Sequence, residues 1–226
     1  MICENIRDIL ERIEKSKNKP VHKGEVKLIV VTKTVPIDKI KEAIDCGITD
    51  VGENRVQEAI LKFKDESVTK SVKKHLIGHL QTNKVKKAIE IFDTIQSVDS
   101  IYLLEEISRQ AEKINKIQEC FIEIKVSEEE TKYGLPPEDL KKILDKSKEL
   151  KNVNVTGLMT IAPLFENTES VRPYFKKAYE YYSVFKADYS LKYLSMGMTN
   201  DFEIAIEEGA NIVRVGTGIF GERKYE

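Results

Sequence analysis

Two stretches decide the fold of this chain: Leu194-Ser195-Met196-Gly197-Met198-Thr199 and Val213-Arg214-Val215-Gly216-Thr217-Gly218. Each begins as a short apolar run, typical of a buried strand, and ends as a loop of small residues. In a barrel of eight parallel strands, the loops after the last two strands frequently hold a phosphate group. The C-terminal fifth of the chain therefore favours a barrel with a phosphate site.

Strand-like and helix-like segments alternate along the rest of the chain. Apolar runs predict strands at residues 27–33, 49–52, 75–78, 94–98, 121–126, 153–159, 191–194 and 211–215. Periodic apolar patterns predict helices at residues 3–17, 37–46, 53–65, 82–90, 136–150, 168–187 and 199–208, and one more that Asp99 or Ser100 caps.

Eight strands, seven intervening helices and one leading helix predict an α/β fold, a single (β/α)8 TIM barrel with an extra N-terminal helix. An open doubly wound sheet is the alternative, because its parallel strands are equally apolar. The strand count and the late phosphate loops favour the barrel. Without a linker-like stretch or a fixed repeat, residues 1–226 are expected to form one domain.

Composition excludes several classes of function. The 226 residues are 41% apolar and 33% charged, with a net charge of −1, so neither nucleic acid nor an anionic membrane is favoured as a partner. No apolar run reaches the length of a membrane span, and Met1 to Asn5 do not resemble a signal peptide. We expect a cytoplasmic protein.

The three cysteines, Cys3, Cys46 and Cys120, include no close pair. Their odd number and wide spacing argue against a disulfide framework and against a zinc site. His75 and His79 lie four residues apart, but in and just after a predicted strand, so the spacing of helical metal ligands does not apply. No metal site is expected.

Lys33 follows the wholly apolar run Leu28-Ile29-Val30-Val31-Thr32 at the predicted C-terminal end of the first strand, the end at which barrel sites lie. A lysine at the solvated rim is the simplest interpretation. A lysine partly withdrawn from water instead becomes a nucleophilic amine that attacks an aldehyde. Two chemistries use such an amine: a Schiff base with pyridoxal phosphate, and a carbinolamine with a sugar aldehyde as in class I aldolases.

The two late loops carry groups that suit a phosphate. Gly197, Gly216 and Gly218 allow close backbone approach, and three hydroxyls, those of Ser195, Thr199 and Thr217, can donate hydrogen bonds. Thr199 is predicted to begin the helix at 199–208, whose dipole favours an anion. Ordinary turn chemistry would explain each loop alone, but their joint position in a barrel favours a binding site.

Arg214 lies between two valines, so alternation points it into the barrel mouth if the valines face outward. A buried arginine needs a partner, either a carboxylate such as Glu53 or Asp201, or the ring nitrogen of a pyridine. Glu53 and Asn54 open the helix predicted at residues 53–65, either as N-terminal caps or as contacts to the cofactor and Lys33.

These residues resemble those of a known family, the pyridoxal 5′-phosphate homeostasis proteins. Six segments spread over almost the whole chain carry the resemblance, with Thr199 where serine is more usual. They are residues 31–34, 52–58, 75–84, 157–161, 194–199 and 213–221.

The resemblance implies a barrel similar to the N-terminal domain of bacterial alanine racemase, with pyridoxal 5′-phosphate held as a Schiff base on Lys33. It implies that Arg214 faces the pyridine nitrogen and that Asn54 lies near the ring. The phosphate would be held by Thr199, Gly216 and Thr217, with Ser195 and Met198 beside it.

The resemblance also implies a non-catalytic carrier that buffers pyridoxal phosphate or delivers it to apoenzymes. An amino-acid racemase is the alternative, and it needs a proton donor on each face of a planar intermediate. In alanine racemase an additional β-domain supplies the second base across a dimer. The sequence continues only eleven residues past the eighth predicted strand, to Glu226, so we expect no such domain and a monomer. Tyr133 could substitute for that base.

Overall fold

The computed structural model describes residues 1–17, 24–64, 70, 72–127 and 133–222. Eight parallel strands pair in sequence order, and the last pairs with the first to close a barrel. This confirms the predicted (β/α)8 fold and excludes the open sheet. The strands are β1 (Lys27–Val31), β2 (Asp50–Glu53), β3 (Lys73–Leu76), β4 (Thr94–Val98), β5 (Gln118–Glu123), β6 (Val153–Met159), β7 (Tyr193–Ser195) and β8 (Ile212–Val215).

Helices follow the strands on the outside of the barrel, and one helix precedes them, as predicted. Short 3-10 turns at Thr82–Lys84, Pro137–Asp139 and Thr168–Val171 introduce three of the helices. The described α-helices are α1 (Ile2–Ser16), α2 (Ile37–Asp45), α3 (Val56–Lys62), α4 (Val85–Ile91), α5 (Ile101–Glu112), α6 (Leu140–Glu149), α7 (Arg172–Phe185), α8 (Phe202–Glu207) and α9 (Thr217–Phe220).

Several boundaries differ from the prediction. Helix α3 begins at Val56 instead of residue 53, and helix α8 covers Phe202–Glu207 instead of 199–208. In both cases polar loop residues after a strand carry a helix-like pattern but form the turn that leads to the helix. The short helix α9, directly after the last strand, was not predicted.

The larger core lies between the barrel and its helices. The leading helix α1 contributes one apolar face to it, formed by Ile2, Ile6, Ile9 and Ile13. A smaller cluster fills the barrel interior, where side chains from opposite strands meet: Ile29, Phe121, Met159 and Ile212. Buried polar side chains occupy the rest of the interior. Those near the C-terminal ends of the strands can serve a site at the barrel mouth.

Cys3 and Cys46 form a disulfide, with their Cα atoms 5.5 Å apart. The argument from number and spacing against disulfide bonding is wrong for this pair, because helix α1 packs against helix α2 and brings together two residues that are 43 positions apart. Sequence spacing does not reveal a contact that the packing of two helices creates. Cys120 is a free, buried thiol.

Among the described helices, none has both the length and the apolar character that crossing a bilayer requires. The described ranges also contain no group of three or more His, Cys, Asp or Glu side chains arranged to hold a metal ion.

Candidate functional site

A cavity of about 230 Å³ opens at the C-terminal ends of the strands, between β1, β2, β7 and β8. Seven of the eight residues that the sequence predicts for the site line this cavity: Lys33, Asn54, Met198, Thr199, Arg214, Gly216 and Thr217. The eighth, Ser195, is fully buried and accepts a hydrogen bond from Arg214. The fold therefore brings together loops that lie almost 200 residues apart.

Lys33 follows β1 and is half-buried at the edge of the cavity. The next residue, Thr34, has a φ of +61°, a left-handed conformation that a β-branched residue rarely adopts. Its amide donates to Glu58 Oε1 over 2.5 Å, and its hydroxyl donates to the Lys33 carbonyl over 2.6 Å. These bonds hold a strained turn beside the candidate amine, a feature common at functional sites.

A buried cluster supports the same turn from the other side. The Lys62 ammonium donates to the Thr32 carbonyl over 2.5 Å and to Glu53 Oε1 over 2.8 Å. The Thr32 hydroxyl also donates to Glu53 Oε1, over 2.6 Å. Burial raises the pKa of Glu53, and the Lys62 charge opposes that shift. Thr32 is thus fixed directly before Lys33.

Sequence reasoning missed Lys62, because a lysine near the end of a helix is typical of a solvated surface. The signal that could have found it is its spacing of four residues from Glu58 within helix α3, a spacing that places the two side chains on one face.

Of the two roles left open for Glu53 and Asn54, N-terminal capping is not the one that the structure shows. Glu53 is the last residue of β2, and Arg55 occupies the position before helix α3 without capping it through its side chain. Asn54 lines the cavity, and its buried Oδ1 atom has no hydrogen-bond partner among the described residues. An orphan acceptor at a cavity wall is suited to a ligand that donates a hydrogen bond.

Gly78 fixes the position of Asn54. A Cβ atom on Gly78 would lie 2.3 Å from the Asn54 carbonyl oxygen, so only glycine lets the loop after β3 approach so closely. The next residue, His79, stacks its ring on Tyr133 at a centroid distance of 3.8 Å, and its Nδ1 lies 3.3 Å from Asp99 Oδ2. Neither ring belongs to the cavity lining.

Arg214 points into the barrel mouth, while Val213 and Val215 pack in the outer core. Its Nη1 donates to Ser195 Oγ over 2.7 Å, and its Nη2 donates to the Thr160 carbonyl over 2.8 Å. Of the suggested carboxylate partners, Glu53 instead accepts hydrogen bonds from Thr32 and Lys62, and Asp201 acts on Arg214 through its charge.

Burial lowers the pKa of Arg214 to about 10, while the charges of Glu123 and Asp201 act in the opposite direction. The guanidinium stays positive at neutral pH. It presents a fixed cationic donor to the cavity, held by neutral oxygen atoms.

The two late loops meet at the cavity edge. The Thr217 hydroxyl donates to Thr199 Oγ1 over 3.1 Å, so two hydroxyls lie side by side above Gly216. Gly197 adopts a φ of +91°, and a Cβ there would lie 2.5 Å from the Ala205 methyl group. The turn can therefore only pack on helix α8 with glycine.

The predicted helix start at Thr199 is wrong, because helix α8 begins at Phe202, with Asp201 before it. Asp201 Oδ1 accepts a hydrogen bond from the Met198 amide over 2.5 Å. Burial raises the pKa of Asp201, although that bond and Arg214 lower it. Sequence reasoning named Asp201 as a partner for Arg214 and did not expect it in the cavity lining.

The polar groups of the cavity have a clear chemical character. They include one amine, one guanidinium, two adjacent hydroxyls and an orphan amide oxygen, with apolar walls from Val31, Ile77 and Leu164. Cationic and hydroxyl donors suit a phosphate, apolar walls suit a flat ring, and the amine suits an aldehyde. This set fits pyridoxal phosphate.

Comparison with known proteins gives a consistent result. The family model described as "Alanine racemase, N-terminal domain" matches residues 4–224. A pyridoxal phosphate homeostasis protein of Aquifex aeolicus is 47% identical over 227 residues, 99% of both chains. Another of Synechocystis is 38% identical over 88% of this chain and 92% of that protein.

Solved structures agree with these relatives. PipY of Synechococcus elongatus, described with PLP bound, is 35% identical, has a TM-score of 0.85, and matches over 98% of this chain and 100% of its own. Alanine racemase of Clostridium difficile 630 has a TM-score of 0.74 at 16% identity, and 58% of its chain is covered. The second likeness shows a shared fold alone.

Proposed function

This chain belongs to the family of pyridoxal phosphate homeostasis proteins and carries an alanine racemase N-terminal domain, and from that premise we propose that it binds pyridoxal 5′-phosphate and takes part in its homeostasis. The observation that carries the proposal is the convergence of Lys33, Arg214 and the Thr199–Thr217 hydroxyl pair on one cavity. The PLP-bound homologue PipY supports it.

Each part of the cofactor has a candidate partner in the cavity. Lys33 would carry the cofactor through its amine, and Arg214 would face the ring nitrogen. Thr199, Gly216 and Thr217 would hold the phosphate, with Ser195 and Met198 next to them. The orphan Oδ1 of Asn54 would accept a hydrogen bond near the ring.

When bound, the cofactor supplies an aldehyde that forms a reversible Schiff base with a primary amine. The protein's own residues determine how the Lys33 amine is oriented and how firmly the cofactor is retained. The Thr32–Glu53–Lys62 cluster and the Thr34 turn fix the backbone on both sides of Lys33. Such a rigid support favours firm retention of a ligand.

We propose a carrier without turnover of its own. Two-base racemisation needs a proton-transfer group on each face of the ring. Among the described cavity residues, the ionisable side chains are Lys33, Asp201 and Arg214. Asp201 is engaged by the Met198 amide and Arg214 donates to Ser195 Oγ, which leaves Lys33 as the candidate proton-transfer group. Tyr133, the suggested substitute base, is stacked on His79 instead.

Four further properties belong to the proposal. The protein would act as a monomer in the cytoplasm, as a single domain over residues 1–226. It would deliver its cofactor to pyridoxal phosphate-dependent apoenzymes. Size-exclusion chromatography with light scattering would measure the oligomeric state, and reactivation of an apoenzyme by the loaded protein would measure delivery.

An absorption spectrum tests the cofactor site. We expect the purified protein with pyridoxal phosphate to show a visible band, and borohydride to fix the cofactor on the peptide that contains Lys33. Lys33→Ala should lose the band, whereas the exposed control Lys39→Ala should keep it. A band that survives in Lys33→Ala, or a label on another lysine, would contradict the proposal.

Racemisation of a free amino acid with a kcat of about 1 s⁻¹ or more, lost in Lys33→Ala, would overturn the non-catalytic assignment.

A further inference from the structure

A continuous chain of hydrogen bonds runs through the barrel interior from the cavity. Arg214 Nη1 donates to Ser195 Oγ over 2.7 Å, and Ser195 Oγ donates to Gln96 Oε1 over 2.7 Å. Gln96 Nε2 lies 3.1 Å from His75 Nδ1, and His75 Nε2 lies 2.9 Å from Asp50 Oδ1. All five residues are buried, and they come from β8, β7, β4, β3 and β2.

The chemistry of the end groups fixes the direction of every bond in this chain. Arginine can only donate, so Ser195 Oγ accepts and its own proton goes to Gln96 Oε1. The Gln96 amide then turns its NH₂ group toward His75. Nδ1 of His75 must therefore be the bare, accepting nitrogen, and Nε2 carries the proton that Asp50 accepts.

The reverse arrangement leaves groups unsatisfied. If the Gln96 amide were turned over, Ser195 would receive protons from both Arg214 and Gln96, and its hydroxyl proton would have no acceptor among these residues. The Gln96 oxygen would require a proton on His75 Nδ1. A neutral imidazole of that form would aim a lone pair at the Asp50 carboxylate, and unpaired polar groups of this kind are costly when buried.

The surroundings of His75 favour the neutral ring. Burial lowers the pKa of His75, and Lys73 lowers it further, while Asp50 and Glu119 raise it. Asp50 is held as a carboxylate: although burial raises its pKa, hydrogen bonds from His75 and Thr49 lower the pKa overall.

We propose that His75, as the neutral Nε2–H tautomer, is a positioning residue for Arg214. Through Gln96 it turns the Ser195 hydroxyl so that an oxygen lone pair faces the guanidinium at the cavity. The importance of this for cofactor binding rests on the proposed function, because it assumes that Arg214 faces the pyridine ring. His75 acts through two intervening side chains and does not line the cavity.

Nitrogen-15 NMR of the histidine side chains tests the tautomer without any cofactor. The chain contains three histidines, so the signals that remain in both His22→Gln and His79→Gln belong to His75. We expect a bare Nδ1 and a protonated Nε2 for His75 at neutral pH. A proton on Nδ1 in the wild-type protein would overturn the inference.

Two substitutions of Gln96 then separate positioning from packing. Gln96→Leu removes the connection between His75 and Ser195, and we expect pyridoxal phosphate to bind about tenfold more weakly. Gln96→Glu keeps an acceptor for Ser195 but cannot donate to His75. We expect both ring nitrogens of His75 to be protonated in this variant at neutral pH, with cofactor affinity within about threefold of wild type.

Gln118→Leu is the matched control, because Gln118 is another fully buried amide that takes no part in the Arg214-to-Asp50 hydrogen bonds. Its Nε2 donates to the carbonyl oxygens of Asp93 and Glu119. This variant should leave cofactor affinity unchanged. Equal losses of cofactor affinity in Gln96→Leu and Gln118→Leu, or an unprotonated Nδ1 in Gln96→Glu, would refute the positioning role.

If Gln96→Leu does not fold, the Gln96→Glu variant and the tautomer of His75 in the wild-type protein still test the positioning role. Failure of wild-type protein to bind pyridoxal phosphate would count against the proposed function, while the NMR result would still judge the hydrogen-bonded chain.

Discussion

At the scale of single residues, Glu123 shows how the barrel interior changes an ordinary carboxyl group. It is the last residue of β5, two positions after Phe121, so both side chains point into the barrel. Only 5% of its surface is exposed. Burial and the charge of Asp99 raise the pKa of Glu123, the charge of Arg214 lowers it, and the net result is a pKa of about 7.

This pKa gives stability a definite dependence on pH. An unfolded glutamate ionises near its model value of 4.5, so between pH 4.5 and 7 the folded state binds more protons than the unfolded state. The protonated side chain thus stabilises the fold below pH 4.5, and that contribution is lost as pH rises through 7. Above pH 7 the buried carboxylate costs on the order of 1–3 kcal/mol.

We therefore predict that Glu123→Gln, which keeps the shape and removes the charge, stabilises the protein above pH 7. Urea unfolding at pH 8 should show a gain of about 1–3 kcal/mol, and the gain should shrink toward pH 5. Glu138→Gln, on the 3-10 turn before helix α6, is the surface control and should change little at either pH. A Glu123→Gln variant less stable than wild type at pH 8 would show that the carboxylate is stabilised by Arg214 instead.

At the scale of elements, helix termini carry the charge networks that join neighbouring βα units. Arg172 begins helix α7 and contacts three carboxylates, at 2.7 Å from Glu169, 2.8 Å from Glu207 and 2.7 Å from Glu208. Glu207 ends helix α8, so one guanidinium connects the helices that flank β7. The hydrogen bonds that Arg172 donates to Glu169 and to the other two carboxylates raise its pKa.

Arg172→Gln should destabilise the protein, because three carboxylates would then repel one another around an uncharged side chain. We expect a loss of about 1–2 kcal/mol at low ionic strength, read as a lower Tm, and a smaller loss in 1 M salt, where screening is strong. Arg109→Gln, which removes an exposed pair within helix α5, should cost less than about 0.5 kcal/mol. Equal and salt-independent losses in both variants would contradict the network.

The sequence predicted the number and order of the elements better than their ends. Ser100 caps helix α5 as expected, because serine before an apolar helical pattern is a local signal that tertiary contacts do not override. Asn54 and Thr199 carry equally good capping chemistry, yet the cavity uses both side chains. Local rules fail at these two loops because the polar groups there line the cavity and do not complete helices.

At the scale of the whole molecule, closure of the barrel assembles what the chain separates. The rule that barrel sites lie at the C-terminal ends of strands was enough to select Lys33 and Arg214 from sequence, and the structure brings both to one cavity. The Arg214–Ser195–Gln96–His75–Asp50 chain could not be predicted, because its hydrogen bonds join five strands across the interior. Such contacts depend on barrel register, which composition and periodicity do not encode.

Helix α1 joins the beginning of the barrel to its end. Its Asn5 side chain donates to the Ile219 carbonyl in helix α9 over 2.8 Å, and Arg12 makes two bonds to Glu203 in helix α8. On the other side, the Cys3–Cys46 disulfide ties it to the end of helix α2. Helix α1 therefore spans the seam between β8 and β1.

Reducing the disulfide should accordingly weaken the whole fold. The disulfide closes a segment of 43 residues, and losing such a restraint on the unfolded chain costs about 2–4 kcal/mol. We expect a dithiol reductant to lower the Tm of the wild type but not that of Cys3→Ser, which should match the reduced wild type. Alkylation of the denatured, unreduced protein should label Cys120 alone, and all three cysteines should react after reduction. Labelling of all three cysteines without reduction would show that helix α1 is held by packing and by the Asn5 and Arg12 contacts, without the covalent link.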